Sequence, residues 1–527
     1  MNQAPVQVNS IKVRLNRSAH FAGVYAIILL FAFESRSFAQ QLKTRTAGEM
    51  TFGADLEGGS PYFIPNPEKP DKPDGFEAEF LRAVGQQLQL KPVFRQGQWD
   101  QLPRLLGKGD VDFICNGFEL KPVYVEKYRP SRPYFRYRLA LMTPINSKIK
   151  SWSDLLDLSS PSQKIRVGVL VNSSADEFAT RTGGEKITVV RFDGATDAML
   201  ATRNGQIDAT LQDEPAATWY IKQKEFSDRL RLTPDRVGPG WYVVYFNKNE
   251  NELADAIDQA IGKLIDSGEL KRIFEKYNLW HEEQNLLADK SAWQNAMNLT
   301  EKNAESPKEF KLRRYLPFLL KAAAMTVFLS LSSMPLAIAI GLAVAIGRLY
   351  GPKWLRPFLV AYVEFLRGTP LMLQLFFIFY IVPELTGFGL PAILASILGL
   401  AINYSAYESE IYRAGLQAIP DGQMEAALAL GMKRNQAIFR IIIPQATRIV
   451  IPPVTNDFIA LFKDTSVCSV ITVVELTKQY SILANSTLKV VQFALVASIL
   501  YLAMSWPLSR FASWYEKKLE AEESVRP

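Results

Sequence analysis

Four polar side chains interrupt an apolar stretch near the end of the chain, where a membrane would make them costly. Asn456, Asp457, Lys463 and Asp464 all fall within residues 449–474, a mostly apolar stretch whose other polar side chains are serines and threonines. A charged group inside a bilayer usually faces a polar pathway or a protein interface. These four residues are therefore candidates for the wall of a transport pathway or for a contact that couples it to a partner.

Residue types that support catalysis or metal binding are scarce in this chain. Its only histidines are His20 and His281, its only cysteines are Cys115 and Cys468, and none has metal-ligand spacing. The sequence also lacks a Gly-x4-Gly-Lys-Ser/Thr loop, the usual cradle for nucleotide phosphates. We therefore expect no metal site, no cofactor and no nucleotide bound by this chain itself.

The elements that must position these groups differ sharply between the two halves of the chain. The 527 residues are 48% hydrophobic on average, but residues 40–310 are polar while residues 315–510 contain long apolar stretches. The net charge of +7 fits the loop bias of a membrane protein, and no basic run with aromatics suggests nucleic-acid binding. The length and this split predict a soluble portion followed by a portion in contact with membrane lipid.

Apolar stretches in the second half predict about five transmembrane helices. The first, residues 322–347, has 26 uncharged residues and would extend about 39 Å as a helix, enough to span a bilayer. The second needs residues 358–383, because the uncharged part alone is too short. The predicted spans are 322–347, 358–383, 390–407, 449–474 and 490–509.

The distribution of basic residues predicts the orientation of these spans. Arg348, Lys353, Arg413 and Arg440 fall in segments that would lie in the cytoplasm, whereas the loop at 384–390 has no Lys or Arg. Basic loops favour the cytoplasmic side, so we expect the soluble half outside and the C-terminus inside. Basic residues at 308–314 disagree, but a long domain led by a signal is translocated largely regardless of them.

The first 39 residues have the pattern of a secretory signal peptide. Basic residues precede the uncharged run 21–33, and Ser37 and Ala39 suit the positions before a cleavage after Ala39. Thirteen apolar residues make a helix of about 20 Å, shorter than the bilayer core, which favours a cleaved signal over an anchor.

Short apolar runs alternate with amphipathic segments in the soluble half. Residues 165–171, 189–192 and 241–246 are predicted to be buried strands, while 81–90 is typical of a helix. Strands alternating with helices predict an α/β architecture.

The segment MEAALALGMKRNQAIFRIIIPQA, residues 424–446, resembles the coupling loop of ABC import permeases. It carries the spaced pattern of Glu425, Ala426, Ala427, Gly431 and Pro444, with Ile443 where leucine is usual. Gly431 is expected to end a short helix in a turn with positive φ, and Pro444 to mark a kink. The resemblance implies that this loop docks on a separate ATPase.

Three further segments, FLRGTPLMLQLF (365–376), EIYRAGLQAIP (410–420) and DFIALFKDTSVCSVI (457–471), look like the polar amino-acid permeases of the same family. The resemblance implies an all-α transmembrane permease domain, two copies of the ATPase, and pairing with itself or with a second permease subunit. It also favours the coupling side for Asn456, Asp457, Lys463 and Asp464.

The soluble half resembles the family 3 periplasmic solute-binding proteins. The resemblance rests on the order of GFEAEFLRAVGQQLQL (75–90), QWDQLPRLLGKGDVDF (98–113), PSRPYF (130–135), VGVLVNSSADEF (167–178) and GQIDATLQDEPAATWY (205–220). It implies a two-lobed α/β fold of type II, with strands crossing between the lobes near residues 134–142 and 237–245. The chain is thus expected to be a multi-domain protein.

The same resemblance assigns the ligand pocket for a small polar solute. It implies Tyr62 and Trp99 as aromatic faces, Ser173 and Ser174 as the carboxylate-binding pair, and Asp213 as the partner of an ammonium group. The two serines also suit the cap of the following helix, and Asp213 a capping role.

The pocket departs from the family at two positions. Tyr124 aligns with the arginine that clamps the ligand carboxylate, and Glu119 aligns with a serine or threonine. A phenol does not replace a bidentate guanidinium, so the solute need not be an ordinary α-amino acid. Tyr124 either contacts the ligand or covers the lobe surface, and a local shift would recruit Arg129, Arg132 or Arg136 instead.

The predicted organisation is a signal peptide (1–39), a solute-binding domain (40–280), a linker with a short helix (281–312), a permease domain (313–515) and a cytoplasmic tail (516–527). The predicted function is import of a polar amino acid or related solute at a bacterial inner membrane, powered by the partner ATPase. Two alternatives remain at this point. One is a solute-sensing receptor or ligand-gated channel, and the other a periplasmic enzyme, for which Glu119 and Asp213 are the only candidate acid pair.

Overall fold

The computed structural model describes residues 42–56, 59–160, 163–305 and 311–524. The predicted signal peptide lies outside these ranges. Ten strands are described: β1 Glu49–Ala54, β2 Lys91–Gln96, β3 Phe113–Ile114, β4 Tyr128–Pro130, β5 Phe135–Pro144, β6 Ile165–Leu170, β7 Ile187–Phe192, β8 Ala209–Asp213, β9 Leu230–Tyr242 and β10 Tyr245–Asn247.

The strands form two five-stranded sheets, one in each lobe of the soluble half. Lobe 1 has the order β2-β1-β3-β10-β4 and lobe 2 the order β7-β6-β8-β5-β9. In each sheet the central strands run parallel to each other. The strand next to the crossing segments, β10 in lobe 1 and β5 in lobe 2, is antiparallel to its neighbours. Helices cover lobe 1 at Phe76–Leu88, Leu102–Lys108, Pro122–Val125, Asn251–Asp266 and Glu269–Lys276, and lobe 2 at Trp152–Leu158, Ser174–Gly183, Ala195–Arg203, Glu214–Tyr220 and Lys224–Ser227. The predicted two-lobed α/β fold is confirmed.

Two adjacent segments carry the chain between the lobes. The first leads from β4 to β5, and the second from β9 to β10. They are joined by backbone hydrogen bonds from Ser131 N–H to Val244 O at 2.8 Å and from Tyr134 N–H to Tyr242 O at 3.1 Å. The second crossing falls within the predicted 237–245, whereas the first precedes β5 and overlaps the predicted 134–142 only at its start. The cleft lies between the lobes beside these segments.

The segment predicted as a linker packs largely against the binding domain. A 3₁₀ helix, Glu282–Leu287, buries Leu287 in the domain core, and the helix Lys290–Glu305 follows it. Trp293 of that helix lies under the Arg132 guanidinium, 5.2 Å from ring centroid to carbon. Residues 282–305 of the predicted linker therefore belong with the binding domain.

The second half is helical throughout its described elements. Its main helices are Leu312–Tyr350, Arg356–Gly368, Ala392–Gln417, Asp421–Ala429, Ile443–Asp464, Leu476–Thr487 and Val490–Ser524. Among the described residues, three helical stretches are long and apolar enough to cross a membrane: Leu312–Tyr350, Arg434–Ile471 and Val490–Tyr515. The pair Arg356–Gly368 and Leu371–Thr386 gives a fourth if counted as one broken span. The third predicted span, 390–407, falls in Ala392–Gln417, whose second half carries Glu408, Glu410 and Arg413.

The predicted second span is broken instead of continuous. Its two helices meet at 108°, with Thr369 and Pro370 both extended at the break. A residue before proline is driven out of the helical region, which explains the break. The buried Gln374 side chain then donates to Leu366 O at 2.9 Å and Thr369 O at 3.2 Å, satisfying carbonyls freed by the break.

Candidate functional site

Two aromatic side chains line the lobe 1 wall of the cleft, as the sequence predicted. Trp99 stacks on Phe118 at 5.1 Å, and its indole N–H donates to Asn116 O at 2.9 Å, which fixes the ring. Tyr62 lies opposite Gly117, where an added Cβ would come within 2.8 Å of the tyrosine ring. Glycine at 117 therefore allows the backbone to approach Tyr62 closely.

The lobe 2 wall is formed by the N-terminus of the helix Ser174–Gly183. Ser173 caps this helix by accepting from Asp176 N–H at 3.3 Å, so the predicted capping role is present. The Ser174 N–H donates across the cleft to Glu119 Oε1 at 2.7 Å, and the Ser174 hydroxyl accepts from Tyr137 at 2.7 Å. Ser173 lines the cleft, and Ser174 is engaged entirely by other side chains.

Asp213 ends β8 on the lobe 2 side and faces lobe 1. It accepts hydrogen bonds from the hydroxyls of Tyr242 and, at 3.5 Å, of Tyr62. Burial raises the pKa of Asp213 to about 7, and the negative charge of Glu119 adds to this; the Tyr242 hydrogen bond and Lys121 act in the opposite direction. A cation bound here would restore the ionised form.

Contacts across the cleft show that the lobes are closed on each other. Besides Glu119 to Ser174, the Lys121 ammonium in lobe 1 donates to Asn172 O in lobe 2 at 3.0 Å. The cavity between the lobes is small, about 60 Å³. Its lining residues are Asp55, Gly59, Tyr62, Trp99, Asn116, Gly117, Glu119, Leu170, Ser173, Ala175, Asp193, Gly194, Ala195, Gln212, Asp213 and Ala216.

Tyr124 lies outside this lining, although the alignment assigned it to ligand binding. It is 5% exposed and packs against the rings of Phe118 and Tyr245 at 5.8 and 5.5 Å. Of the alternative arginines, Arg129 bonds Asn251 and Arg136 lies over Trp241, both away from the cleft. The position of the family arginine is therefore filled by an aromatic core residue.

We expect Tyr124→Phe to leave solute affinity unchanged within about twofold, because the ring contacts are kept and the hydroxyl does not face the cavity. Tyr124→Ala should instead lower the free energy of unfolding by about 3–5 kcal/mol, as expected for truncating a buried aromatic. Binding titration and denaturant unfolding measure the two effects. A tenfold loss of affinity in Tyr124→Phe would assign the hydroxyl to the ligand.

Sequence reasoning missed two residues that shape the site. Lys121 lies 3.7 Å from Glu119 Oε2, and Tyr242 on the crossing strand bonds Asp213. Lys121 is in the segment that was aligned with the family arginine. Its positive charge was therefore the feature of the sequence that could have marked it as a site residue. No local sequence pattern identifies Tyr242, because its hydrogen bond to Asp213 depends on the ends of two different strands, β9 and β8, lying close together.

The helix Leu476–Thr487, here called the docking helix, joins the binding domain to the membrane half. Glu475 caps its N-terminus, accepting from Thr477 N–H at 2.8 Å and Lys478 N–H at 2.7 Å. Lys478 forms an ion pair with Asp193 of lobe 2 at 2.5 Å, and Asp193 also lines the cleft.

The same helix reaches lobe 1 near its other end. The Asn485 side chain donates to Asp100 at 2.6 Å and accepts from Arg104 at 2.9 Å. Beyond the helix, Lys127 donates to Leu488 O at 2.6 Å. One helix thus contacts both lobes and lies across the mouth of the cleft.

Lobe 2 has a second contact, with the end of the broken helix pair. Gln206 donates to Phe379 O at 2.6 Å, and Arg203 pairs with Glu384 at 3.3 Å. The membrane half therefore contacts lobe 2 at two separate places.

The helix Asp421–Ala429, here called the coupling helix, contains the spaced motif found in the sequence. Glu425 and Ala426 are exposed, and Ala427 is buried. Gly431 follows with φ of 82° and donates to Leu428 O at 2.9 Å, which confirms the turn predicted there. Leu430, at 84% exposed, and Phe439, at 63%, leave an uncovered apolar surface beside the helix.

A π-helical turn, Ile438–Ile442, comes directly before Pro444. Proline removes a backbone donor, and such turns accommodate the resulting mismatch in helix hydrogen bonding. The predicted kink is therefore a widened turn that leads into the helix Ile443–Asp464.

The four polar residues predicted to line a pathway or to contact a partner fall into two groups. Asp457 and Asp464 line a cavity of about 570 Å³ beside the break at Thr369–Pro370, and Tyr404 donates to Asp464 at 2.7 Å. Asn456 and Lys463 are exposed and do not line it.

A closed cleft whose two lobes both contact a membrane-spanning domain defines a transport component with its receptor built in. Residues 57–279 match the bacterial extracellular solute-binding proteins, family 3, and residues 337–521 match the binding-protein-dependent transport system inner membrane component. The chain is 35% identical over 213 residues to the probable amino-acid permease protein YxeN of Bacillus subtilis, covering 40% of this chain and 95% of that protein. It is 37% identical over 195 residues to the probable glutamine ABC transporter permease protein GlnM of the same organism, covering 37% and 90%.

Among solved structures, the arginine-, lysine-, histidine-binding protein ArtJ from Geobacillus stearothermophilus is 23% identical, with a TM-score of 0.40, covering 45% of this chain and 99% of that one. The chain belongs to the family of binding-protein-dependent inner membrane components. It is a multi-pass ABC importer permease with its solute-binding domain fused in front, and the receptor-channel and enzyme alternatives are set aside.

Proposed function

We propose that this chain imports a polar amino acid or related small polar solute from outside the inner membrane, together with two copies of a separate ABC ATPase. The binding domain lies outside and the C-terminus in the cytoplasm. The permease pairs with itself, which provides two binding domains for each importer.

The observation that carries this proposal is the docking helix, which contacts both lobes of the closed binding domain. Asn485 bonds lobe 1 while Lys478 bonds lobe 2, so both contacts require the lobes to lie at their closed separation. The domain is attached to its own permease, so its effective concentration at this surface is on the order of millimolar. Solute-driven closure therefore favours docking without a search for the partner.

The transport step follows from the positions of the two other sites. ATP binding by the partner would move the coupling helix, whose exposed face is Glu425, Ala426 and Leu430. The helix Ile443–Asp464 continues from that region to the cavity that contains Asp457 and Asp464. Movement at one end can then open or close the polar cavity at the other.

Reconstitution with the cognate ATPase tests this proposal. The full chain and the ATPase in proteoliposomes should accumulate radiolabelled solute only with ATP, and solute should stimulate ATP hydrolysis. Solute flux that is the same without ATPase would contradict the importer and favour a channel.

Solute affinity should fall by about tenfold between pH 8 and pH 6. Asp213 must be ionised to hold an ammonium group, and with a pKa of about 7 it is mostly ionised at pH 8 and mostly protonated at pH 6. The groups around it are Tyr62, Tyr242, Glu119 and Lys121. Titration calorimetry across this range gives the profile.

Asp213→Asn is the control, because Glu77 in lobe 1 also has a pKa raised to about 7 by burial. The variant should bind weakly at both pH values. If it retains the wild-type pH profile, Asp213 is not the titrating group.

A further inference from the structure

The charged side chains that line the cleft are all acidic. Among the described lining residues they are Asp55, Glu119, Asp193 and Asp213, without a lysine or arginine. A solute that carried a carboxylate would meet these four acids inside a closed cavity. The cost of a like charge in such a site is high unless a cation or amide donor compensates it.

All four acids accept hydrogen bonds within the protein, Glu119 from the Ser174 N–H and Asp213 from two tyrosine hydroxyls. Asp55 accepts from Trp99 N–H and from Gln96, both at 2.9 Å, and Asp193 pairs with Lys478 of the docking helix. Glu119 and Asp213 are left to meet the solute.

Glu119 occupies the place where an anionic group of a solute would bind. The N-terminus of the ten-residue helix Ser174–Gly183 offers backbone N–H groups to an anion. The Ser174 N–H is already donated to Glu119 Oε1 at 2.7 Å, and the Ser174 hydroxyl is engaged by Tyr137. The Glu119 carboxylate thus takes the place that a carboxylate of the solute would otherwise occupy at this helix N-terminus.

The other oxygen of this carboxylate, Oε2, is buried beside the cavity. Glu119 is 1% exposed, and its Oε2 has no hydrogen-bond donor among the described residues. Lys121 lies 3.7 Å away, but its ammonium donates to Asn172 O. A buried carboxylate oxygen without a donor is costly, and a solute N–H would satisfy it.

We propose that the cleft selects a small organic amine that carries no carboxylate. Its ammonium group lies between Asp213 and Glu119 Oε2, and its carbon skeleton packs on Tyr62 and Trp99. Two carboxyl groups, those of Glu119 and Asp213, accompany one lysine, Lys121, in this cluster, so a solute with one cationic group matches it. The inference rests on the proposed import function and specifies its solute class.

Matched pairs of amines and their parent amino acids provide the test. The full chain in lipid nanodiscs is titrated with ethanolamine and serine, putrescine and ornithine, and histamine and histidine. At least one amine should bind tenfold or more tightly than its amino acid. Equal or tighter binding of the amino acid in every pair, or no binding by any of the six compounds, overturns the proposal.

Variants of the two charged residues sharpen the result. Glu119→Ser frees the Ser174 N–H, so amine affinity should fall at least tenfold and affinity for the parent amino acid should rise. Glu126→Ser, at an exposed position, is the matched control and should change neither. Lys121→Met removes the Asn172 contact that helps to close the lobes and should weaken amine and amino acid by the same factor, whereas a loss confined to the amino acid would place a solute carboxylate on Lys121 and contradict the proposal.

Uptake measurements separate this inference from the proposed function. If an amine binds but ATP does not drive its uptake, the importer proposal fails while the solute class stands. If ATP drives uptake of an amino acid but not of its amine, the importer stands and the amine proposal is overturned.

Discussion

Combining Glu425→Lys with Gly431→Pro is expected to abolish ATP-driven uptake while leaving solute binding intact. Gly431 has φ of 82° and donates its N–H to Leu428 O, and proline permits neither. The turn that ends the coupling helix must therefore be rebuilt. Glu425 is exposed, so reversing its charge alters the surface offered to a partner without disturbing the core.

The size of the effect can be tested with a milder matched pair. Gly431→Ala places a Cβ in a left-handed conformation at a cost of about 1–2 kcal/mol, which corresponds to about a tenfold loss of uptake. Gly422→Ala in the same helix also adds one methyl group in open space, but without a positive φ. It should leave uptake unchanged.

Solute titration of the same variants should give wild-type affinity, because the coupling helix and the cleft share no residues. Uptake retained in the double variant would show that this loop does not transmit the ATPase movement. Loss of solute binding would instead indicate a folding defect.

Features set by local sequence were predictable. The buried strand predicted at 165–171 is β6, Ile165–Leu170, and the turn at Gly431 has its expected positive φ. Both depend on the side chains of a few consecutive residues, namely a run of apolar ones in the first case and the absence of a Cβ in the second.

Changes in the direction of the backbone were not predictable from apolar composition. Residues 241–246 were predicted as one strand, but the chain leaves lobe 2 at Tyr242 and enters lobe 1 at Tyr245. The second span was predicted as one helix, but it turns by 108° at Thr369–Pro370. In both cases the residues stay apolar, because they remain buried or in the membrane while the backbone changes course.

In the cleft, too, some features were predictable from the sequence and others were not. Tyr62, Trp99, Ser173 and Asp213 line it, because motif order fixed which loop ends meet there. The Glu119–Ser174 bond joins residues 55 positions apart, and its effect on solute choice depends on the closed geometry of the two lobes. No spacing in the sequence reports such a contact.

Reversing the charge of Lys478 should uncouple solute binding from transport. Its side chain is 3% exposed and pairs with Asp193, which is 41% exposed; Asp100, bonded to the same helix, is a second acid nearby. Breaking a buried pair costs about 3–5 kcal/mol, but the exposure of Asp193 reduces this to about 1–2 kcal/mol. Lys478→Glu should therefore lower uptake by about five- to thirtyfold.

A contact that forms only with the closed lobes also favours solute binding, so the affinity of the full chain for its solute should fall by no more than the same factor. Lys290→Glu makes the same charge change at an exposed site on the helix Lys290–Glu305 and should leave uptake unaltered. Pairing Lys478→Asp with Asp193→Lys should recover part of the uptake, because the swapped pair restores the attraction across the cleft mouth. If Lys478→Glu transports at the wild-type rate, transport does not depend on the contact between the docking helix and the closed lobes. The contact between the binding domain and its own permease is then dispensable for import.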